Sequence, residues 1–289
     1  MGGDGSALII APPSRPTRTR PRLAPVTAAA EPAVDGVPPS PFGRRTLLAE
    51  TALVLLVSLG ASAIWSLLRI VSLLTQGGLS GVTTTMNSSA YPDRPWLDLV
   101  HQLVGVGLGV VPALLALHLL TREDRDAPHR IGADLRRPGS DLLRGVLLTA
   151  AVGIPGLAWY LGSRALGINT TVAAADLAPV WWAVPVLVLA ALQNAVLEEV
   201  VMVGYLFTRW TQAGWGRWRV IVVSALVRGS YHLYQGFGGF VGNVVMGLLF
   251  GWLYTRTRRV GPLVVAHTLL DVVAFVGYTL ARDHLGWLR

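Results

Sequence analysis

Residues 96–120 read WLDLVHQLVGVGLGVVPALLALHLL, an almost unbroken apolar run with a single carboxylate, Asp98, and no arginine. A helix that crosses a bilayer needs about 20 such residues, so this stretch predicts a transmembrane helix. Working outward, runs of the same kind occupy 47–73, 141–163, 180–208, 218–235, 238–256 and 260–281, which makes seven expected spans. The bulk composition agrees. Hydrophobic residues make up 52% of the 289, charged residues only 14%, and the mean hydropathy is +0.52. Soluble domains carry about a quarter charged residues, so an ordinary water-soluble enzyme is excluded, as is a disordered or coiled-coil chain. The fold class expected is all-α, a polytopic transmembrane helical bundle.

Residues 1–45 stand apart. They hold half of the 18 prolines, interspersed with Ala, Thr, Ser and Arg. Such a segment cannot bury enough apolar surface to offset its ordering entropy, and a disordered tail is expected there. The helical domain is expected over 46–289. With no cysteine in the chain, disulfides, a thiolate nucleophile and cysteine-held metals are out of reach.

The formal net charge is +8, and every basic residue is an arginine. In a soluble protein this excess would suggest nucleic acid. The placement of the arginines argues otherwise. They gather in the tail (Arg15, Arg18, Arg20, Arg22, Arg44, Arg45) and in three loops: Arg122 to Arg137, Arg209 to Arg219, and Arg256 to Arg259. The alternate loops hold few: Arg94 in 74–95, Arg164 in 164–179, none in 234–238. That alternation is the positive-inside pattern for a multi-pass protein of the cell membrane with a cytoplasmic N-terminus. The expected partner is therefore the lipid bilayer, not nucleic acid.

Some polar residues inside the runs have simple readings. Gly239, Asn243, Gly247 and Gly251 recur at four-residue steps and predict close helix packing. Glu50, Asp98, His101 and His118 lie near span ends, where structural or solvated roles suffice. Another set is harder to dismiss. Glu198 and Glu199 lie side by side in the fourth run, Arg228 and His232 in the fifth, His267 and Asp271 in the last. A buried Asp or Arg costs about 2.5–3.5 kcal/mol at the centre of a spanning helix, so three helices carrying such groups point to a site. Residues four apart share a helix face. With a rise of 1.5 Å per residue, the acidic pair lies roughly 15 Å from the cytoplasmic end, His267 and Asp271 roughly 10–17 Å, and His232 roughly 20 Å. The groups can meet, and they form a water-activating or metal-binding set. A buried ion network that only locks helices is the structural alternative.

The order Glu-Glu, then His, then His-xxx-Asp across 180–275 resembles the CPBP family, the CAAX-protease and bacteriocin-processing membrane proteins related to type II CAAX prenyl endopeptidases. Gly204 and Pro262 fit the same pattern. Two positions depart from it: Val203 stands where the family has an arginine, and Arg228 where it has a phenylalanine. A compensated exchange is expected, in which Arg228 supplies across a helix interface the charge that keeps Glu198 and Glu199 ionised.

The resemblance implies an intramembrane endopeptidase acting on membrane-associated proteins or peptides. The residue types agree, since hydrolysis without cysteine needs an activated serine, paired aspartates or activated water, and Ser230, two residues from His232, cannot face it on a helix. Glu198 is expected as general base with His232 holding the water, and His267 and Asp271 as oxyanion stabilisers or metal ligands. A metal would be Zn2+ on His232, His267 and Asp271; a metal-free glutamate mechanism stands beside it. Two other classes remain open: a non-catalytic membrane protein of the same fold, with an immunity or scaffold role, and a proton-coupled transporter.

Overall fold

The computed structural model describes residues 36–281. Most of the segment expected as a disordered tail, 1–35, lies outside them, as does His284. Residues 36–43 lie against the helical body: Val37 is buried, Gln212 Nε2 donates to Pro38 O at 3.0 Å, and Ser40 Oγ donates to Glu123 Oε2 at 2.7 Å.

The chain is a polytopic helical bundle. Helices α1 (Arg44–Leu56) and α2 (Leu59–Thr75) fill the first expected span, followed by strand β1 (Thr83–Ser88), α3 (Pro95–Thr121) and the short α4 (Ala127–Arg130). Next come α5 (Pro138–Ala165), β2 (Thr171–Asp176) and α6 (Ala183–Glu198), which runs through a π-helical segment (Glu199–Tyr205) into α7 (Leu206–Gln212). The chain finishes with α8 (Arg217–Tyr231), a 3₁₀ turn (Leu233–Gln235), α9 (Phe237–Thr257) and α10 (Gly261–Ala281).

Among the described residues, five helical stretches are long and apolar enough to cross a membrane, six when α1 and α2 count as one broken span. The expected seven is therefore approximate. The first span is not straight, because α1 and α2 meet at 59°. At the break Ser58 Oγ donates to Val54 O at 2.6 Å, and a Cβ at Gly60 would lie 2.8 Å from Leu55 O. The side chain thus competes for a helical carbonyl while glycine lets the backbones approach. The fifth expected span shrinks to α8, whose 15 residues rise only about 22 Å, short of a hydrocarbon core of about 30 Å. Arg217, Arg219 and Arg228 also make it less apolar than its neighbours.

The loops sort into two groups, as the arginines do. At one end, the arginine-poor connections join: β1 and β2 pair in parallel with Thr83 opposite Thr171, Thr170 N donates to Gln235 O at 2.8 Å, and Thr84 Oγ1 to Tyr234 O at 3.4 Å. At the other, a cavity of about 380 Å³ is lined by Pro38, Glu123, Arg130, Arg209 and Arg258. There too Arg259 clasps α5. Its Nε donates to Asp141 Oδ1 at 2.9 Å and its Nη2 to Asp134 Oδ1 at 2.9 Å. The hydrogen bond from Arg259 is the main cause that holds Asp134 well below its ordinary value, at about 2. Gly132 makes this clasp possible: its φ is +66°, and a Cβ there would collide with the Arg259 backbone.

Packing around α8 prepares the site. A Cβ on Gly247 would sit 2.9 Å from Ala225 Cα, and one on Gly229 2.9 Å from Phe240 O. The expected small-residue stripe on α9 therefore includes a close α8–α9 contact at Gly247. Arg228, on that seam, is only 1% exposed and lies over the Phe250 ring at 5.7 Å.

Candidate active site

Glu198 closes α6 and Glu199 opens the π segment. A π turn bonds i to i+5 and is wider than an α turn, so successive side chains diverge less around the axis; such segments occur mostly as single turns and often at functional sites. All seven of its residues are buried. Both carboxylates consequently reach one guanidinium: Arg228 Nη2 donates to Glu199 Oε1 at 2.7 Å, and its Nη1 lies 3.6 Å from Glu198 Oε2.

The two carboxylates differ. Glu199 is fully buried, and its Oε1 is also 2.8 Å from His267 Nδ1. The other nitrogen of His267 lies 3.8 Å from Asp271 Oδ2, so the ring stands between two carboxylates. Glu198 keeps 8% exposure. Its Oε2 accepts from Tyr231 Oη at 2.7 Å and lies 3.9 Å from His232 Nε2. His232, at the end of α8, is flanked by the Tyr231 ring at 4.8 Å and the Tyr234 ring at 6.3 Å.

Every residue singled out from the sequence for this site (Glu198, Glu199, Arg228, His232, His267 and Asp271) is within one hydrogen-bonded or ion-paired set. Ser230 is outside it, its Oγ donating to Val227 O at 2.7 Å. Sequence reasoning missed two neighbours. Tyr231 reads as one more apolar position beside His232, and Asn194, whose side chain borders Asp271, sits one turn before Glu198. The second could have been found from the four-residue spacing; the first depends on the α6–α8 packing.

Three buried polar atoms here have no hydrogen-bond partner: Glu199 Oε2, Arg228 Nη1 and His232 Nε2. Buried polar groups are rarely left so, and the nitrogens of Arg228 and His232 both approach Glu198 Oε2, at 3.6 and 3.9 Å. Among the described residues, the group with metal-holding geometry is Glu198, Glu199 and His267, with ligand atoms within 4.8 Å of one another. This is not the expected His232, His267 and Asp271 set. Arg228 already sits on both carboxylates and would compete with a divalent cation for them. A dication bound to Glu199 would lie about 4–5 Å from the guanidinium, a repulsion of roughly 7 kcal/mol at an effective dielectric of about 20.

A multi-pass helical protein with buried carboxylates, imidazoles and a guanidinium at one place is a membrane protein with an internal polar site. Residues 180–273, about a third of the chain, match the family model described as "Type II CAAX prenyl endopeptidase Rce1-like". This match supports assigning that segment to the CPBP/CAAX protease family, and with it a protease kind of function in a lipid bilayer. No curated protein and no solved structure matches the chain.

Proposed function

We propose that the chain is an intramembrane endopeptidase that hydrolyses peptide bonds of membrane-associated substrates with water activated by Glu198, without a metal. The observation that carries this reading is the inequality of the acidic pair. Glu199 is sealed and saturated on one oxygen by Arg228 and His267, whereas Glu198 keeps some exposure beside the unpartnered His232 Nε2.

In this mechanism a water lies between Glu198 and His232. Glu198 takes one proton as the oxygen attacks the scissile carbonyl, and the protonated Glu198 then gives that proton to the leaving amine, so the proton balance closes. Arg228 Nη1, a buried donor without a hydrogen-bond partner, stabilises the oxyanion. His267 and Asp271 hold Glu199, and Glu199 holds Arg228. The guanidinium from α8 thereby takes the place of the family arginine missing at Val203. The arginine alternation and the gathering of arginine-lined loops at one end support a cytoplasmic N-terminus.

A Glu198→Gln variant expressed in place of the wild type tests this. Its membranes should accumulate uncleaved substrate that co-purifies with the variant and is absent from wild-type preparations by mass spectrometry. Equal peptide profiles in the two would contradict the reading. One observation favours a second reading, a non-catalytic protein of the same fold: Val203, buried, offers no charge where the family has one.

A further inference from the structure

We infer that Tyr231 is a positioning residue of this site: its hydroxyl, hydrogen-bonded to Glu198 Oε2, fixes the orientation in which the carboxylate meets water. The inference rests on the reading of Glu198 as general base.

A glutamate carries two equivalent oxygens on a side chain with three rotatable bonds, and an unconstrained carboxylate spends its time in many orientations. Here the groups that reach Glu198 converge on Oε2. Tyr231 Oη lies at 2.7 Å, Arg228 Nη1 at 3.6 Å and His232 Nε2 at 3.9 Å. Tyr231 alone among them is within hydrogen-bond distance. Its own placement is secured from both sides. The residue is 4% exposed, and Ser66 Oγ, buried on α2, donates to Tyr231 O at 2.8 Å. A hydroxyl-bearing ring in a membrane bundle is costly without a partner, and its partner is the carboxylate that does the chemistry. A hydrogen bond to a charged group is stronger than one between neutral groups, which suits it to hold an ionised base still.

The test compares Tyr231→Phe, which removes one oxygen and keeps the ring, with the wild type and with Glu198→Gln. The substrate is the one recovered on Glu198→Gln, made as an internally quenched peptide. In Tyr231→Phe, kcat should fall about 10- to 100-fold with KM unchanged and the thermal midpoint in detergent kept. Infrared spectra should show the Glu198 carboxylate stretch, identified by its loss in Glu198→Gln, displaced in Tyr231→Phe without any substrate. Tyr231→Phe with kcat within twofold of wild type and an undisplaced stretch would overturn this inference, while loss of cleavage in Glu198→Gln still upholds the glutamate base. A fall in thermal midpoint with kcat intact would make Tyr231 a packing residue and overturn it too. If Glu198→Gln cleaves like the wild type, both the base and the route through it are wrong.

Discussion

Three arginines among the described residues are buried against pairs of carboxylates: Arg209 (against Glu50 and Glu123), Arg228 and Arg259. The last two differ in what they leave over. At the end of the bundle where the arginine-rich loops meet, Arg259 joins Asp141 and Asp134 through hydrogen bonds that use Nε and Nη2. Neither carboxylate keeps a buried atom without a partner. Inside the bundle, Arg228 joins Glu198 and Glu199, and an oxygen of Glu199, a nitrogen of Arg228 and a nitrogen of His232 remain unpartnered. Ion networks that only tie helices together tend toward the first state, because each unmet buried group costs about 1–3 kcal/mol. The second state leaves hydrogen-bonding capacity that a water or a reacting carbonyl would meet. Residue type alone would have grouped the two; their saturation separates them.

The largest effect expected from this contrast is chemical. Glu198→Gln should lower turnover by about 10²–10⁴-fold with the fold intact by circular dichroism, and no variant of the Arg259 clasp should approach that loss per folded molecule. Next in size is Arg228→Ala. Removing one partner of a buried ion set leaves uncompensated charge worth about 3–5 kcal/mol, so both activity and thermal midpoint should drop. Adding Val203→Arg should restore part of each; recovery of neither would refute the exchange of one arginine for another. Asp141→Asn should cost stability alone, about 1.5–3 kcal/mol from the weakened charged hydrogen bonds, read by denaturation in detergent with kcat unchanged.

The smallest effect is the pH response of the clasp. Asp134 is depressed from 3.8 to about 2, chiefly by the hydrogen bond from Arg259. A lowered acid contributes stability that is whole above the unfolded value and fades as pH falls through the folded one. The thermal midpoint should therefore lose this contribution between about pH 4 and pH 2, and Asp134→Asn should remove that part of the acid dependence.

Much of the fold was legible because apolar length is a local property. The runs at 96–120 and 260–281 correspond to α3 and α10 almost residue for residue. What depends on distant contacts was not legible. Thr83–Ser88 pairs with Thr171–Asp176 across nearly ninety residues, and each segment alone reads as loop. The run at 218–235 looked long enough to span because apolar content does not reveal where α8 stops at Tyr231 and a 3₁₀ turn begins. In the site, the spacing of Glu198, His232 and His267 was readable, and so was Arg228 as a charge near the acidic pair. The partners were not. Glu199 meets His267, rather than His267 and His232 sharing one ion, because the π segment turns Glu199 inward, and sequence periodicity carries no mark of that change in winding. Arg209 is a similar case: it was counted among loop arginines, yet it is 1% exposed and 2.8 Å from Glu50 on α1.

The measurement that bears most directly on water activation by Glu198 is hydrolysis in H₂¹⁸O by the purified protein with chelator present, using substrate recovered on the Glu198→Gln variant. Wild-type protein should release a fragment whose new terminal carboxyl carries one ¹⁸O, and Glu198→Gln should release none. Intact substrate with the wild type, cleavage that stops when chelator is added, or the same labelled fragment from Glu198→Gln would contradict it.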